Sequence, residues 1–308
     1  MAKLEKTVHV ALEELRMQML GTQVLFGFQL QGVFQERFSE ASPLARWSDF
    51  CALALLVLTL AFLVAAPCQH RLVERGNATH RIFHVAERFA EMALAPFALA
   101  IGCDVFTVSE PYFGMAAAAT GAASAVVIAL FLSYGLGAIL KSILPRKETT
   151  MALPPQTPTD LHEKIDQMLT ESRVILPGVQ ALLGFQFAVT MTNAFAKLPA
   201  LDRGIHFFAL AMEAAAMMLL IAPAAIHRLT FGGVDAKRFH DIGSGLLTVA
   251  LAPLALGIAA DFYVASFKML NDAPLAAGAA GIVVVTLAGL WYALPLILRG
   301  TLGRKAAR

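Results

Sequence analysis

The sequence predicts an all-α membrane protein, a bundle of eight transmembrane helices formed by two parallel four-helix repeats. The 308-residue chain is 58% hydrophobic and only 15% charged, with a mean hydropathy of +0.67. Soluble domains carry about 25% charged residues, so this composition indicates an integral membrane protein. Apolar runs of about twenty residues, the length that crosses about 30 Å of hydrocarbon, recur along the chain. The second half of the chain also repeats the first.

The repeat is clearest in one motif, GTQVLFGFQ from Gly21, which returns as GVQALLGFQ from Gly178, 157 residues later. The same spacing relates other identical residues: His70 and His227, Arg81 and Arg238, Pro96 and Pro253, Asp104 and Asp261. Chance does not produce so many identities in one register. The sequence therefore predicts a tandem duplication.

The first repeat, residues 1–144, is predicted to begin with an amphipathic surface helix at residues 1–15. Pro67 ends the second of its four spans, and Pro96 is expected to kink the third. The four spans cover roughly twenty residues each, at 17–38, 47–66, 86–106 and 114–140.

A proline-rich linker, residues 145–159, separates the repeats and is predicted to be neither helix nor strand. The second repeat, residues 160–308, begins with another surface helix at 160–173. Its predicted spans again have the length that a bilayer requires, at 174–196, 204–226, 243–264 and 275–298.

The basic residues predict the orientation. If both termini, the linker and the loops after the second and sixth spans lie on one side, that side holds all but five of the 24 Lys and Arg residues. The five are Arg37, Arg46, Lys197, Arg203 and Lys268. The positive-inside rule then places both termini in the cytoplasm. Because each repeat has an even number of spans, the repeats are parallel, which predicts a pseudo-two-fold axis along the membrane normal.

A set of short motifs carries a family resemblance: Glu14-Leu15-Arg16, the run from Gln23 to Phe28, Phe34 with Phe38, Ala66-Pro67, His70-Arg71 and Asp104-Val105. They resemble an uncharacterised bacterial membrane-protein family that usually has a single four-helix copy. Some of its members carry an automated sodium:proton antiporter label. The resemblance covers most of both halves, and here the four-helix unit is doubled. We expect a multi-pass protein of the bacterial inner membrane.

Polar side chains in the first span of each repeat are candidates for lining a pathway. Gln23 and Gln29 in the first repeat match Gln180 and Gln186 in the second. A glutamine in lipid must find a partner, so these residues are expected to face the bundle interior near the axis between the repeats. They either line a polar path or serve as hydrogen-bonding contacts between helices.

Charged residues precede the first span of both repeats and follow the second, at the predicted cytoplasmic face. Orientation alone accounts for the basic ones, but pairing between the two groups would form a gate of ion pairs at the inner mouth. The candidates are Glu14, Arg16, Glu171 and Arg173 before the first span, and His70, Arg71, His227 and Arg228 after the second.

Three carboxylates are candidate acceptors for a proton or a cation. Glu213 lies near the middle of the sixth span, where its counterpart in the first repeat is Leu56. A charged side chain at the bilayer centre costs at least about 2.5 kcal/mol, so Glu213 is either functional or hydrogen-bonded to a neighbouring helix. Asp104 and Asp261 end the third and seventh spans on the outer side, where they either cap loops or form an outer cation vestibule.

A weaker candidate is a metal site at the start of the third span. His80, His84 and Glu87 share one helical face, and imidazole with carboxylate suits a divalent metal or a proton relay. The second repeat has Lys237, Asp241 and Ser244 at the matching positions. A solvated interfacial face explains the cluster equally well.

These features favour a transporter or channel for a small cation or proton, with a non-transporting structural, sensory or accessory membrane protein as the alternative. No enzyme is expected, because the sequence lacks the Walker, G-x-S-x-G, H-E-x-x-H and dinucleotide-binding motifs. No cofactor is predicted either. The expected partners are the lipid bilayer and small cations or protons. The net charge of +2 gives no reason to expect nucleic acid, and a homo-oligomer is compatible with the sequence.

The predicted orientation can be tested by labelling single cysteines from outside the cell on a cysteine-free background. Cysteines introduced at Ser109 and Asn271 should react, because both positions lie in outer loops. Cysteines at Thr149 and Arg308 should stay protected. Labelling of Thr149 from outside would reverse the orientation.

Overall fold

The computed structural model describes residues 2–143 and 159–306, and all regular structure in these two ranges is helical. Apart from Thr159, the predicted linker, residues 145–159, lies outside the described residues. The helices are α1 (Ala2–Gly32), α2 (Pro43–Leu72), α3 (His80–Leu130), α4 (Leu136–Ile143), α5 (Leu161–Thr190), α6 (Asn193–Ala196), α7 (Ala200–Leu229), α8 (Lys237–Leu270), α9 (Ala273–Ala288) and α10 (Leu294–Ala306).

Six helical stretches in the described residues are long and apolar enough to cross a membrane, judged by length and composition. They are Pro43–Leu72, His80–Gly135, Leu161–Thr190, Ala200–Leu229, Lys237–Leu270 and Ala273–Thr301. Such a set is compatible with a multi-pass membrane protein. The glutamines and charged residues of α1 explain why that helix is not among them.

The structure differs from the prediction at the start of each repeat. Instead of a surface helix followed by a separate span, α1 and α5 are each one continuous helix of 31 and 30 residues. The predicted boundaries contain no residue that stops a helix, and Pro177 lies inside α5 without ending it. The first helix also ends at Gly32, earlier than the predicted end at residue 38, and a 3₁₀ turn at Glu36–Glu40 follows.

Equivalent irregularities interrupt the helices of both repeats. Gly114 lies within α3 at φ +77°, and Asn271, 157 residues later, separates α8 from α9 at φ +53°. Both residues occupy the left-handed region, where glycine has no steric penalty and asparagine is tolerated. π-helical turns follow at Phe131–Gly135 and Gly289–Ala293. The two halves thus share their breaks as well as their sequence motifs.

The repeats meet along α1 and α5, and two glycines allow the close approach. A Cβ at Gly27 would lie 2.0 Å from Phe185 Cδ2, and a Cβ at Gly178 would lie 1.5 Å from Gln23 Oε1. The α2 helix also packs against α8, α9 and the second π-helical turn, where Trp291 Nε1 donates to the Ala61 carbonyl oxygen at 3.1 Å.

These contacts between the repeats are not reciprocal. Gly184 is the equivalent of Gly27 and Gly21 is the equivalent of Gly178, yet neither has any atom of the described chain within 4 Å of its Cβ position. With a two-fold axis, each contact would occur a second time between the equivalent residues of the two repeats. The expectation of a two-fold axis between the repeats is therefore not met, because the first repeat contacts the second head to tail.

We predict that Gly27→Ala destabilises the protein by about 1–3 kcal/mol, the range for overpacking a close-packed interior. The added methyl group would overlap the Phe185 ring and separate α1 from α5. The measurement is thermal unfolding in detergent, with Gly281→Ala as the control, because Gly281 has no atom of the described residues within 4 Å of its Cβ position. Equal melting temperatures for the two variants would contradict the packing argument.

Candidate functional site

Three helices of the first repeat bring Gln29, Asp49 and Asp104 together. The Gln29 amide Nε2 on α1 donates to Asp104 Oδ1 on α3 at 2.7 Å. It also lies 3.4 Å from both Oδ1 and the carbonyl oxygen of Asp49 on α2. Gln29 and Asp49 are buried, whereas Asp104 is partly exposed. Gln29 Oε1 and Asp104 Oδ2 have no hydrogen-bond partner within the described part of the chain.

This first-repeat site opens into a cleft of about 590 Å³. The cleft has apolar walls, including Leu25 and Phe28, and polar groups at its rim. There Arg37 donates a hydrogen bond to the Tyr112 hydroxyl, and its guanidinium carbon lies 5.7 Å from the centre of the Tyr112 ring. The carboxyl groups of Asp49 and Asp104 are therefore reachable from outside the protein.

The second repeat builds the equivalent site from Gln186, His206 and Asp261. Gln186 Nε2 donates to Asp261 Oδ2, and His206 Nδ1 lies 3.7 Å from Asp261 Oδ1. His206 Nε2 lies 3.3 Å from the Gln186 carbonyl oxygen, so Nε2 is the donor there. The other ring nitrogen of His206 then faces the carboxyl group and can exchange a proton with it.

This second-repeat site is closed. Its cavity measures only about 10 Å³, and Leu30 and Phe34 of the first repeat lie over it. Such a volume holds at most about one water molecule. The two sites are thus equivalent in position, and they differ in access and in one residue, since Asp49 is replaced by His206.

Glu213 lies next to the second-repeat site and is fully buried. Neither of its carboxyl oxygens has a hydrogen-bond partner in residues 2–143 and 159–306. Asp261 is the ionisable group beside it. Gly257, one turn from Asp261, makes room for the side chain, because a Cβ there would lie 2.7 Å from Glu213 Cγ. His206, Asp261 and Glu213 therefore form a row of ionisable groups.

At the predicted cytoplasmic end, Glu171 binds two basic residues of the other repeat. His70 Nδ1 lies 2.8 Å from Glu171 Oε1, and Arg71 donates to Glu171 Oε2 from Nε at 3.0 Å and from Nη2 at 2.7 Å. All three side chains are buried. This is one of the pairings that the sequence suggested. The equivalent residues Glu14, His227 and Arg228 make no such cluster in the described structure, where Glu14 and Arg228 are exposed.

The remaining candidates lie apart from these sites. Gln23 is buried in the close-packed contact with Gly178, and Gln180 is exposed. Arg16 lies 4.0 Å from Glu13 on the same helix, and Arg173 is exposed.

The predicted metal cluster is not assembled. His84 Nδ1 lies 3.3 Å from Glu87 Oε2, and both side chains are exposed. Within the described ranges, no group of three or more His, Cys, Asp or Glu side chains is placed to hold a metal ion. His80, the third predicted ligand, does not complete one.

Sequence reasoning missed Asp49 and His206. Both lie one to two turns into a long apolar helix, and the 157-residue spacing aligns them, so each repeat has an ionisable residue at this position. Comparing polarity, rather than identity, between the repeats would have found the pair.

A family model matches the chain twice, over residues 2–136 and 158–295. The chain belongs to DUF6328, a family of unknown function. The double match agrees with the predicted tandem duplication, and each DUF6328 copy contains one glutamine–aspartate site. No curated protein and no solved structure matches the chain. Since DUF6328 is defined without an activity, the antiporter label stays an expectation.

We predict that Glu171→Ala destabilises the protein by about 3–5 kcal/mol, because it leaves Arg71 buried without its partner. Thermal unfolding in detergent measures the loss, and Glu87→Ala, at an exposed acidic position, is the control. Adding Arg71→Met should recover most of the loss, since the uncompensated charge is then gone. No recovery would assign the effect to something other than the ion pair.

Proposed function

We propose that the protein crosses the bacterial inner membrane eight times, as two parallel four-helix repeats with both termini in the cytoplasm. The stretch His80–Gly135 has 56 residues. A helix of that length would extend about 84 Å, far more than one bilayer crossing needs. The break at Gly114 divides it into two segments of spanning length, as Asn271 does in the second repeat. The charge distribution supports the orientation.

We further propose that this protein conducts or transports a proton or a small cation. The observation that supports this function is the open first-repeat site, where one glutamine amide holds two carboxyl groups at the edge of a cleft of about 590 Å³. Ionisable residues within membrane-spanning segments usually mark ion pathways or proton relays. In the second repeat Gln186 binds the single carboxyl group of Asp261, and His206 takes the place of Asp49.

The oxygen atoms of the first-repeat site are suitable ligands for a proton or a hard cation. Asp49 and Asp104 offer carboxylate oxygens, and Gln29 Oε1 is an additional acceptor without a partner in the described chain. Oxygen atoms are the ligands that hard cations prefer. Within the described residues, no third His, Cys, Asp or Glu side chain joins Asp49 and Asp104. We therefore favour a proton or a monovalent cation over Ca²⁺, which takes about six to eight oxygen ligands.

In the second repeat, a proton can pass along the row of ionisable groups. His206 lies near the predicted outer end of α7, and Glu213 lies two turns further towards the cytoplasmic end. Asp261 contacts His206 and is the neighbour of Glu213. The proposed route for a proton taken up by the imidazole therefore runs through Asp261 to Glu213.

The proposed pathway lies in the interior of each repeat and not at the contact between the repeats, where the sequence had suggested it. The α1–α5 contact is close-packed, because Gln23 fills the space beside Gly178 and Phe185 fills the space beside Gly27. The glutamines that remain candidates for the pathway are Gln29 and Gln186, which bind the aspartates.

Purified protein in liposomes, assayed for proton and alkali-cation flux, tests the function. We expect Asp104→Asn to lower flux at least tenfold, because the amide cannot take up a proton and binds a cation more weakly. Glu87→Gln, at an exposed position away from the site, should transport normally. Wild-type liposomes without flux of any tested ion would favour the alternative, a non-transporting structural, sensory or accessory protein.

For Glu213, the expected result of Glu213→Gln is the loss of pH-dependent flux with an intact fold, because the amide keeps the shape but cannot carry a proton. Glu213→Leu combined with Gly257→Ala reproduces the first repeat, which has Leu56 and Ala100 at these positions, and should be equally inactive and at least as stable. Flux and thermal unfolding are measured on the same preparations. Undiminished, pH-dependent flux in Glu213→Gln would remove Glu213 from the mechanism.

A further inference from the structure

The head-to-tail contact between the repeats leaves two complementary surfaces without a partner. The front face of α1 (Gln23, Gly27, Leu30, Phe34) packs on the back face of α5 (Glu171, Val174, Gly178, Phe185). The equivalent back face of α1 (Glu14, Met17, Gly21, Phe28) is exposed, although one edge of it, the Phe28 ring, lies 4.6 Å from the Phe185 ring. So is the equivalent front face of α5 (Gln180, Gly184, Phe187, Met191). Met17 is 78% exposed and Met191 is 87% exposed.

The open cleft of the first repeat lies beside the exposed face of α1. The equivalent cavity of the second repeat lies at the contact between the repeats and is closed. The first-repeat site opens into about 590 Å³, while Leu30 and Phe34 reduce the second-repeat site to about 10 Å³. By the 157-residue spacing, Phe187 and Met191 are the equivalents of Leu30 and Phe34. They are the side chains that would close the first-repeat site, and they lie exposed on α5.

The second open cleft lies at the other end of the repeat contact. This cleft has a volume of about 400 Å³, and its lining includes the basic residues Arg173, His227 and Arg228. Its counterpart in the first repeat is filled to about 10 Å³ by residues of α5 that include Glu171. The equivalent of Glu171 is Glu14, an exposed carboxylate on the back face of α1. Asp235 Oδ1 lies 3.8 Å from His227 Nε2, but Arg228 forms no ion pair within the described residues. Glu14 likewise has no basic partner there, so the cleft keeps an unpaired guanidinium and the α1 face keeps an unpaired carboxylate.

Polar residues on the open faces argue against lipid as their covering. A glutamine exposed to hydrocarbon lacks hydrogen-bond partners, and polar side chains in membranes mostly face protein or water. Gln180 is exposed at the position where its equivalent, Gln23, is buried against glycine. The glycine that would receive Gln180 in the same way is Gly21, which has open space around it in the described structure.

We propose that a second copy of this chain docks here, with the front face of its α5 on the back face of α1. The contact repeats the one within the chain, so Phe187 and Met191 of the second copy cover the first-repeat site. Glu14 of one chain then enters the basic cleft of the other, beside His227 and Arg228. Head-to-tail contacts form a ring when the rotation between units closes, and two chains with four repeats are the smallest such ring.

The first-repeat site is therefore completed only in the assembly. A second chain encloses Asp49 and Asp104 as Leu30 and Phe34 enclose Asp261. This inference stands whether or not the protein transports ions, because it depends on the equivalence of the surfaces alone.

Disulfide crosslinking tests the contact on a background without Cys51, Cys68 and Cys103. Chains with Gly21→Cys and chains with Gln180→Cys, carrying different tags, are expressed together and treated with a membrane-permeant oxidant. We expect a crosslinked heterodimer, and no dimer from either variant alone, because the two positions lie on opposite faces of the contact. Gly21→Cys paired with Val285→Cys, at an outward position that is 72% exposed, should not crosslink.

A positive control uses the known contact, with Gln23→Cys and Gly178→Cys in one chain and a protease site in the linker. Oxidation should hold the two cleaved halves together. If this control crosslinks and the Gly21/Gln180 pair does not, the proposal is wrong. Homodimers of Gly21→Cys alone would also overturn it, because they require a two-fold contact.

A charge exchange provides an independent measurement by molecular mass in lipid nanodiscs. Glu14→Arg should raise the monomer fraction at least tenfold, because it places a cation in the basic cleft. Arg228→Glu in the same chain should restore the dimer. Wild-type protein that is monomeric at all concentrations, or a Glu14→Arg variant as dimeric as wild type, would refute the docking.

Discussion

The hydrogen bond from a first-helix glutamine to a third-helix aspartate is the interaction on which each repeat depends. Gln29 binds Asp104 and Gln186 binds Asp261, so the same bond joins the same two helices in both halves. Asp104 is partly exposed at its cleft, whereas Gln29, Gln186 and Asp261 are buried, where an unpaired amide or carboxyl would cost several kcal/mol. The bond therefore fixes the rotation of both helices, and the second helix then places Asp49 or His206 beside the pair.

The sequence was sufficient for the helical class, the duplication and the identity of the polar residues, because composition and spacing carry that information directly. It could not give the partners of Gln29 and Gln23, since both lie on one helix and their neighbours depend on how that helix is rotated. Gln29 faces Asp104, whereas Gln23 packs against Gly178. Helix ends were also misplaced, because α1 and α5 continue through the predicted boundaries without an intervening stop signal.

Three of the differences between the copies lie beside the shared glutamine–aspartate bond. The glutamine and the aspartate are identical in both repeats, while Asp49 is replaced by His206, Leu56 by Glu213 and Ala100 by Gly257. The last two changes are physically linked, because the longer carboxyl side chain occupies the space that a Cβ at Gly257 would fill. The pattern keeps the structural bond in both copies and gives the second an additional buried acid.

The asymmetry of the contact between the repeats explains why the two sites differ in access although their residues correspond. A two-fold arrangement would bury both sites equally, because each repeat would cover the other. In the head-to-tail arrangement, the first repeat covers the second and is itself uncovered, so the open cleft at Asp104 and the closed cavity at Asp261 follow from one geometric fact. The exposed Glu14 and the basic cleft at Arg228 follow from the same fact at the opposite end. Access to the carboxyl groups is thus set by the packing between repeats and not by the residues of the sites themselves.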